Sequence, residues 1–446
     1  MATFPPQTQT QNPVNPIKPS SNTGGTSTTG QIGEGVKQGL STVKNFASSF
    51  ANSSADQKLA QVKNLLRNPP SPLAIHWFGI SILIVVLIWL ITYISTKLNL
   101  GTLNCNTIAK VNNNVSLLNS SWISNANSPS VAGRNLRDFY IKTAYNCCAS
   151  GDFKNDYVSI CALQNAIRQG CRCLDFEIYC LENAPVVATS SVNKLGVKET
   201  YNALPLGQVL SEIANLAFSQ NATTIVANNK VVPMCPNPDD PLLLHFRFKT
   251  EDVNILNMTA AEIAQSLGDR LMPIQYMKEN NFTNFTATPI YNCKGKVIIM
   301  VEKHGGFLYK SKNMFELTNV TTNSVFVREM TFFNVKNVNN INELEDFNRQ
   351  NMTIVLPDLS PNNNNYPSII PAACGCQFMA MNFQNLDDNL IAYNKMFDNV
   401  ESAFCLRPES LLYIPVTIPA PPPPNPNLSY APRILTVADG LITLPI

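Results

Sequence analysis

Residues 170–190 read GCRCLDFEIYCLENAPVVATS and contain two short apolar runs, CRCLDFEIY and PVVATS. Side chains alternate between the two faces of a strand, so Cys173, Asp175 and Glu177 share one face. Strand-like and helical patterns alternate along the chain on either side: FYIKTAYN before, and LGQVLSEIANLAF, PLLLHFRFKT, AAEIAQSLGDRL, KVIIMVE, TIVL and QFMAMNFQ after. This alternation indicates βα units with parallel strands. Eight such units over about 275 residues predict an α/β fold, a closed (β/α)8 barrel.

The composition excludes several classes of protein. The chain has 446 residues, 45% of them hydrophobic, so a sizeable core can form. Charged residues make up 14% and the net charge is +2, whereas charged residues make up roughly 25% of soluble domains. A surface so weakly charged does not attract a polyanion, so we expect no nucleic-acid partner. Only three histidines are present, His76, His245 and His304, which limits mechanisms that depend on imidazole.

Residues 73–95 predict one transmembrane helix. They contain no Asp, Glu, Lys or Arg and centre on ISILIVVLIWLITYI. About 20 apolar residues in a helix cross a hydrocarbon core of about 30 Å. Trp77 and Tyr93 stand near the two ends, where interfacial aromatic residues are common. A buried core helix is the alternative, but it rarely has so long an uncharged stretch. We therefore expect a single-pass protein whose first partner is a lipid membrane.

Charges, cysteines and glycosylation sequons bear on the orientation of this helix. Lys58, Lys63 and Arg67 precede it whereas Lys97 follows alone, so the positive-inside rule predicts a cytosolic N-terminus and a lumenal or exterior barrel. All twelve cysteines follow the span, which favours disulfides in an oxidising compartment, although buried free thiols are the other ordinary outcome. Nine N-x-S/T sequons also follow it, at Asn114, Asn119, Asn221, Asn257, Asn281, Asn284, Asn319, Asn351 and Asn427.

The segments outside the barrel differ from it in composition. Residues 1–30 are rich in Pro, Gln, Thr, Ser, Asn and Gly and are predicted to be disordered. Residues 31–70 carry a weak amphipathic pattern, which fits either a helix on the membrane surface or a marginal solvated helix. Residues 97–130 are rich in Asn and Ser and predict a tether. Residues 414–446 include PAPPPPNPN and predict an extended proline-rich tail.

Three segments resemble eukaryotic phosphoinositide-specific phospholipase C. Residues 170–190 are similar to its first catalytic half, the X region, and KGKVIIMVEKHGG at 294–306 is similar to the strand that closes that half. The stretch GCQFMAMNFQNLDDNLIAYNKMFDNVESAFCLRPESLL at 375–412 resembles the second half, the Y region. The three segments occur in the order that the family has.

The resemblance implies a distorted TIM barrel of the phospholipase C-like phosphodiesterase type. It divides the chain into an X-like half-barrel at 135–306, a shortened linker at 307–327 and a Y-like half-barrel at 328–413. A membrane anchor joined to a bare barrel looks most similar to the phospholipase C-like proteins of large DNA viruses. The resemblance therefore adds the host membrane and the virion membrane as two locations.

The resemblance also implies which positions would carry catalysis. The family cleaves a phosphodiester with two histidines and a Ca²⁺ ion that stabilises negative charge. Tyr145 and Thr189 stand at the two histidine positions. Arg247 stands at one Ca²⁺-ligand position, and a guanidinium cannot ligate a cation. The retained Ca²⁺ ligands are Asn146, Asp175 and Glu177.

The substrate positions are changed as well. Met300 and Glu302 replace the phosphate-binding lysines, and Ile354 and Leu356 replace the arginine and tyrosine of the Y half. These losses predict that the Ca²⁺ site is gone and that no cofactor is bound. The metal site is thus read as vestigial and the substrate positions as degenerate.

Three functions are compatible with these observations. The first is a membrane-anchored, catalytically inactive barrel that acts as a binding or structural protein, with a protein or a phosphoinositide-like ligand as its partner. The second is an active phosphoric diester hydrolase that uses altered groups such as Tyr145, His245 and the carboxylates; a phenol of pKa about 10 is a poor base for it. The third is a virion membrane protein whose barrel recognises a host surface or a capsid partner.

Arg247 carries the most specific structural prediction. Two carboxylates inside a barrel need a counter-charge, because burying an unpaired ion costs several kcal/mol. Ca²⁺ would supply that charge in the active family, and we predict that the Arg247 guanidinium supplies it here, within about 3 Å of Asp175 and Glu177. The alternative is that Arg247 extends past the strand end into solvent.

Overall fold

The computed structural model describes residues 72–112, 133–226, 230–414 and 432–446, together with residues 57, 60, 63 and 422. The predicted disordered segment 1–30 lies outside the described residues, as does most of the amphipathic segment 31–70. The chain divides into two compact units, Met1–Thr92 and Tyr93–Ile446.

The strands and helices alternate as the sequence predicts. The strands are β1 (Phe139–Ala144), β2 (Cys173–Leu181), β3 (Ala184–Ala188), β4 (Leu204–Pro205), β5 (Thr223–Val226), β6 (Lys230–Pro233), β7 (Leu242–Phe248), β8 (Val297–Glu302), β9 (Val320–Thr322), β10 (Val327–Thr331), β11 (Met352–Leu356), β12 (Phe378–Met381), β13 (Phe404–Leu406), β14 (Ile434–Val437) and β15 (Ile442–Pro445). The α-helices are α1 (Pro72–Asn112), α2 (Ile160–Arg168), α3 (Leu206–Leu216), α4 (Val253–Leu267), α5 (Met277–Phe282), α6 (Lys312–Leu317), α7 (Phe332–Lys336), α8 (Ile341–Gln350), α9 (Ile369–Ala373) and α10 (Asp388–Asp398).

Eight of these strands form a nearly closed barrel in the order β10-β11-β12-β1-β2-β7-β8-β9. Neighbours along this path pair in parallel. Strand β7 is buried along its whole length, as expected for a parallel strand covered on both faces. The predicted (β/α)8 barrel is therefore confirmed.

Local sequence signals set the ends of several elements. Ser159, Asp252 and Asp387 cap the N-termini of α2, α4 and α10 with side-chain oxygens that accept backbone N–H groups. Glu182 and Asn183, with φ of 51° and 60°, form the two-residue turn that joins β2 to the antiparallel β3. Strand β3 thus belongs to a hairpin beside the barrel and not to the barrel path.

The segment predicted as a linker, 307–327, is part of the barrel itself. It contains helix α6 and strand β9, which pairs with β8. Only a short turn separates β9 from β10, so no crossover helix connects these strands, and this is where the barrel is distorted.

The predicted tail at 414–446 also differs, because residues 434–445 form an exposed antiparallel hairpin. Residues 415–421 and 423–431 lie outside the described residues.

Helix α1 is longer than the predicted span. Among the described residues one helix is long and apolar enough to cross a membrane, within His76–Lys110 and with a mean hydropathy of 2.5. The helix continues to Asn112, so the tether predicted at 97–130 is wrong for residues 97–112. Residues 113–130 lie outside the described part.

Contacts with the barrel explain why this polar stretch is helical. Within the second unit, Cys105 forms a disulfide with Cys161 on α2, and Asn104 Nδ2 donates to Asp156 Oδ1 at 2.7 Å. Ile108 is buried. Tertiary contacts of this kind override the weak helix propensity of Asn and Thr. The other ten cysteines are free, so both outcomes predicted for the thiols occur.

Cys105→Ser should lower the free energy of unfolding by about 4 kcal/mol. The disulfide joins residues 56 positions apart, so it removes loop-closure entropy from the unfolded chain. Circular dichroism of the full chain in detergent, followed through a denaturant titration, measures the change. Cys180→Ser, which removes an exposed free thiol, is the control and should leave the midpoint in place. Equal midpoints for Cys105→Ser and the wild-type protein would contradict the expectation.

Candidate functional site

Strands β2 and β7 position the polar side chains at the centre of the barrel. Their parallel register places Asp175 beside His245 and Glu177 beside Arg247. Strand β1, the other neighbour of β2, ends at Ala144 and is followed by Tyr145 and Asn146. The carboxyl ends of three adjacent strands therefore meet at one point, which is where a (β/α)8 barrel carries its functional residues.

The Arg247 guanidinium lies between the two carboxylates. Its Nε donates to Asp175 Oδ1 at 2.8 Å and its Nη2 to Asp175 Oδ2 at 2.7 Å. Its Nη1 donates to Glu177 Oε1 at 2.8 Å. The predicted contact is present. The alternative of a solvent-directed side chain is wrong, because Arg247 is only 3% exposed.

Asn146 completes this group. Its Oδ1 accepts a hydrogen bond from Arg247 Nη2 at 3.2 Å, and its backbone N–H donates to Asp175 Oδ2 at 3.1 Å. The backbone has φ of 40°, a left-handed conformation that Asn tolerates better than most residues. The Nδ2 atom is buried and has no hydrogen-bond partner among the described residues. The structure thus brings together all four positions of the predicted vestigial metal site.

Charges in this group stabilise one another. Burial alone would raise the pKa of Asp175, but the charge of Arg247 and the hydrogen bonds from His245 and Arg247 lower it well below its ordinary value. Burial would lower the pKa of Arg247, but Asp175, Tyr145 and Glu177 raise it well above the ordinary value. The arginine is therefore a permanent cation and Asp175 a permanent anion near neutral pH.

The site does not fit Ca²⁺. A calcium ion requires six to eight oxygen ligands, and here Asn146 Oδ1, both Asp175 carboxylate oxygens and Glu177 Oε1 accept hydrogen bonds from the guanidinium. Among the described residues, no group of three or more His, Cys, Asp or Glu side chains could hold a metal ion.

A second polar group extends from the same site. His245 Nδ1 contacts Asp175 Oδ1 at 2.8 Å, and its Nε2 contacts Thr322 Oγ1 at 3.2 Å. Thr322 Oγ1 donates to Glu329 Oε2 at 2.9 Å. Burial, and then the neighbouring Glu302 carboxylate, raise the pKa of Glu329. Sequence reasoning missed Thr322 and Glu329, because β9 lies in the predicted linker and no motif marks either residue.

The remaining predicted positions have different surroundings. Tyr145 packs against the Arg247 guanidinium, whose Cζ lies 4.8 Å from the ring centroid. Thr189 is buried and its hydroxyl donates to Phe153 O at 3.2 Å. Met300 is a core residue in register with His245. Glu302 is partly buried at the end of β8, and Ile354 and Leu356 are buried on β11.

The site is closed to solvent. Asp175 and His245 are 0% exposed, and Tyr145 is 4% exposed. The Phe153 ring packs edge-on against Tyr145 with centroids 5.4 Å apart. Phe153 thus contacts Tyr145, and Tyr145 contacts Arg247. The contacts that hold the loop carrying Phe153 include a hydrogen bond from Phe153 N to Pro361 O at 3.0 Å and one that Asp156 accepts from α1.

Arg247→Met should reduce the free energy of unfolding by about 3–5 kcal/mol at pH 7, because it leaves two buried carboxylates without a counter-charge. The loss should be smaller near pH 4.5. Stranded carboxyl groups have pKa values above the unfolded value of about 4, so they bind protons as the pH falls and the buried charge disappears. Denaturant titrations of the full chain at both pH values measure the difference.

Arg328→Met is the matched control, because Arg328 pairs with Glu343 at the surface and exposed pairs contribute about 0–1 kcal/mol. Arg247→Glu, which restores the ligand type of the family, should recover part of the loss only when Ca²⁺ is added. An Arg247→Met protein as stable as the control at pH 7 would contradict the counter-charge assignment.

Comparison with known proteins bears on the fold. No protein-family model matches the sequence, and no curated protein matches it. The crystal structure of PLC21 from S. officinalis matches with a TM-score of 0.50 and 19% identity, over 62% of this chain and 38% of that chain. The crystal structure of PLC21 from L. pealei matches with a TM-score of 0.50 and 18% identity, over the same shares. This chain thus spans 38% of the length of each of these proteins. At such identity the likeness shows the fold alone: the chain contains a phospholipase C-like barrel.

Proposed function

We propose that this protein is a membrane-anchored, catalytically inactive phospholipase C-like barrel that acts as a binding or structural component. The observation that carries the proposal is the Arg247 guanidinium, which donates to Asp175, Glu177 and Asn146 where the resemblance would require Ca²⁺. A phosphoryl transfer needs positive charge directed at the phosphate oxygens. Arg247 directs its charge at protein carboxylates instead.

The groups for proton transfer are also unsuited to catalysis. Burial raises the pKa of the Tyr145 hydroxyl well above its ordinary value, so it stays a neutral phenol at pH 7. Thr189 has no titratable group near neutral pH. Access supports the same proposal, because Arg247 is 3% exposed and its guanidinium is covered by Tyr145, which packs against Phe153.

Because side chains fill the barrel interior, we expect a partner to bind the outer surface of the barrel. We therefore favour a protein partner over a phosphoinositide-like ligand at the barrel centre, with the lipid membrane as the site of anchoring. Helix α1 has the length and composition of a span. The Cys105–Cys161 disulfide supports a lumenal or exterior barrel, because disulfides are rare in reducing compartments.

A second candidate, an active phosphodiesterase with altered groups, is favoured by one observation. His245 and Asp175 form a 2.8 Å contact of the kind that orients a general base. The other imidazole nitrogen, however, faces Thr322 inside the barrel, and His245 is 0% exposed. The assay below distinguishes the two candidates.

We expect no release of inositol phosphate from phosphoinositide vesicles, with or without Ca²⁺. Each missing histidine would contribute about 10²–10⁴ in rate, so their joint loss should reduce activity to background. The full chain in detergent or vesicles is assayed beside an active phospholipase C. Calcium-dependent hydrolysis that disappears in Asp175→Ala would favour the second candidate and refute inactivity.

The proposed orientation predicts the outcome of protease treatment. In sealed microsomes containing the full chain, an added protease should remove only the segment before residue 73 and leave the barrel intact. Detergent should then expose the barrel, which shows that the membrane protected it. Digestion of the barrel without detergent would reverse the orientation.

The location among membranes is a further part of the proposal. The resemblance to viral phospholipase C-like proteins makes a virion membrane one location, where the barrel would meet a host surface or a capsid partner. Immunogold labelling of the barrel on particles and on host membranes separates the two locations. Label confined to host membranes would exclude the virion role.

A further inference from the structure

The same tripeptide, Asn-Phe-Thr, occurs twice in succession at residues 281–283 and 284–286. Both copies match the acceptor sequence for N-linked glycosylation. They lie at the end of α5 and immediately after it. The two asparagines differ in what their side chains contact, so the structure separates them where the sequence does not.

Asn284 is an integral part of the fold. Its Oδ1 accepts from the backbone N of Thr286 at 3.0 Å and from its hydroxyl at 2.6 Å. Its Nδ2 donates to Gln350 O and to Asn351 Oδ1, both at 3.1 Å. Both N–H bonds of the amide are thus engaged. A sugar on this nitrogen would replace one of them and would have to occupy the place of the C-terminal end of α8.

Asn281 has the opposite surroundings. The residue and Thr283 are both exposed. Its Nδ2 donates one hydrogen bond, to Gln275 O at 3.1 Å, among the described residues. The second N–H bond is the one that a sugar replaces, so the existing hydrogen bond can persist after modification. Asn281 also lies in a run of residues with left-handed backbone conformation, Lys278–Phe282.

The other described sequons divide in the same way. Asn221 and Thr223 are exposed. Asn319 is 2% exposed. Asn257 Oδ1 accepts from Ser311 Oγ at 2.7 Å, and its partner threonine at position 259 is fully buried. Asn351 accepts from Asn284, and its partner threonine at 353 is also fully buried.

We infer that Asn281 and Asn221 carry N-linked oligosaccharides in the folded protein, whereas Asn257, Asn284, Asn319 and Asn351 do not. The donor class is an oligosaccharide linked to a lipid by pyrophosphate, used by a lumenal transferase. The amide nitrogen forms a bond to the anomeric carbon as the bond from that carbon to the pyrophosphate oxygen breaks. The amide proton passes to a base of the transferase, and the lipid pyrophosphate leaves. No oxidant or reductant is required.

An exposed aromatic cluster lies beside Asn281. Phe282 is 64% exposed and stacks on Phe315 with ring centroids 5.8 Å apart. Tyr309 contacts Phe315 at 5.5 Å. An exposed apolar cluster of this size otherwise favours association. The C–H faces of sugar rings pack on aromatic rings, so a glycan on Asn281 would cover this cluster.

The test uses the full chain, expressed in eukaryotic cells and recovered as monodisperse protein in detergent. An endoglycosidase that leaves one N-acetylglucosamine marks each occupied site for peptide mass spectrometry. Trypsin cleavage after Lys278 and Lys294 yields one peptide with both Asn-Phe-Thr copies. We expect this peptide to carry one sugar. Asn281→Gln and Thr283→Ala should each abolish it, whereas Asn284→Asp, which keeps the oxygen that caps Thr286, should leave it unchanged.

Non-reducing peptide mapping of the same sample shows whether the Cys105–Cys161 disulfide has formed. This result tells why Asn281 is unmodified, if no sugar is found there. An unmodified Asn281 in disulfide-linked protein would overturn the acceptor assignment alone. An unmodified Asn281 without the disulfide would overturn both this inference and the proposed orientation. A sugar on Asn284 or Asn319 in the folded fraction would show that the contacts around these residues do not exclude modification.

Discussion

The requirement that a buried charge be neutralised determines the centre of this barrel. Asp175 and Glu177 lie on one strand and Arg247 on the next, and the parallel register places Glu177 and Arg247 side by side. The planar guanidinium presents a fork of N–H donors that satisfies the Asp175 carboxylate with two hydrogen bonds and Glu177 with a third. A point-charge ammonium could not make the same set of contacts. Any displacement between β2 and β7 would break them, so the register and the charge balance depend on each other.

One guanidinium supplies one positive charge for two carboxylates, and further groups contact the carboxylate oxygens. Tyr179 donates its hydroxyl to Glu177 Oε2 at 2.7 Å. The backbone N–H of Asn146 and the imidazole of His245 contact Asp175. Tyr145 covers the guanidinium with its ring, and Phe153 covers Tyr145. The loop after β1 therefore packs against the ion group through Tyr145 and Phe153. Helix α1 forms a hydrogen bond with the same loop and a disulfide with α2.

The sequence predicted the parts of this arrangement that depend on periodicity and charge. The alternation along β2 placed Asp175 and Glu177 on one face. The resemblance implied that this face is the barrel interior and that Arg247 stands at a neighbouring ligand position, and electrostatics then made its guanidinium the predicted counter-charge. The contacts that depend on tertiary structure were not predictable. The segment NLGTLNCNTIAKVN contains Gly and several Asn and Thr residues, which are weak helix formers, so its helix depends on packing and on one disulfide. Twelve cysteines do not reveal their pairing in sequence. Strand β9 is three residues long, too short for a periodic signal, so Thr322 could not be placed beside His245. Glu329 lies on β10, and no motif marks it.

A buried polar barrel centre can persist for a physical reason. Replacing a buried ion group with apolar residues is often neutral or stabilising, but only when all members change together. Here the group includes Arg247, Asp175 and Glu177, and removal of any one leaves buried polar atoms of the others without hydrogen-bond partners. Removal of Arg247 strands both carboxylates, and removal of Asp175 deprives Arg247 of two of its hydrogen bonds. Each single substitution is therefore destabilising, although replacement of the whole group by apolar residues is often neutral or stabilising. Under the proposed function, the Arg247 guanidinium stands where the resemblance implies a metal-ligating carboxylate, and its charge takes the place of the charge of Ca²⁺. On this proposal, the geometry of a metal site outlasts the metal as a structural ion group.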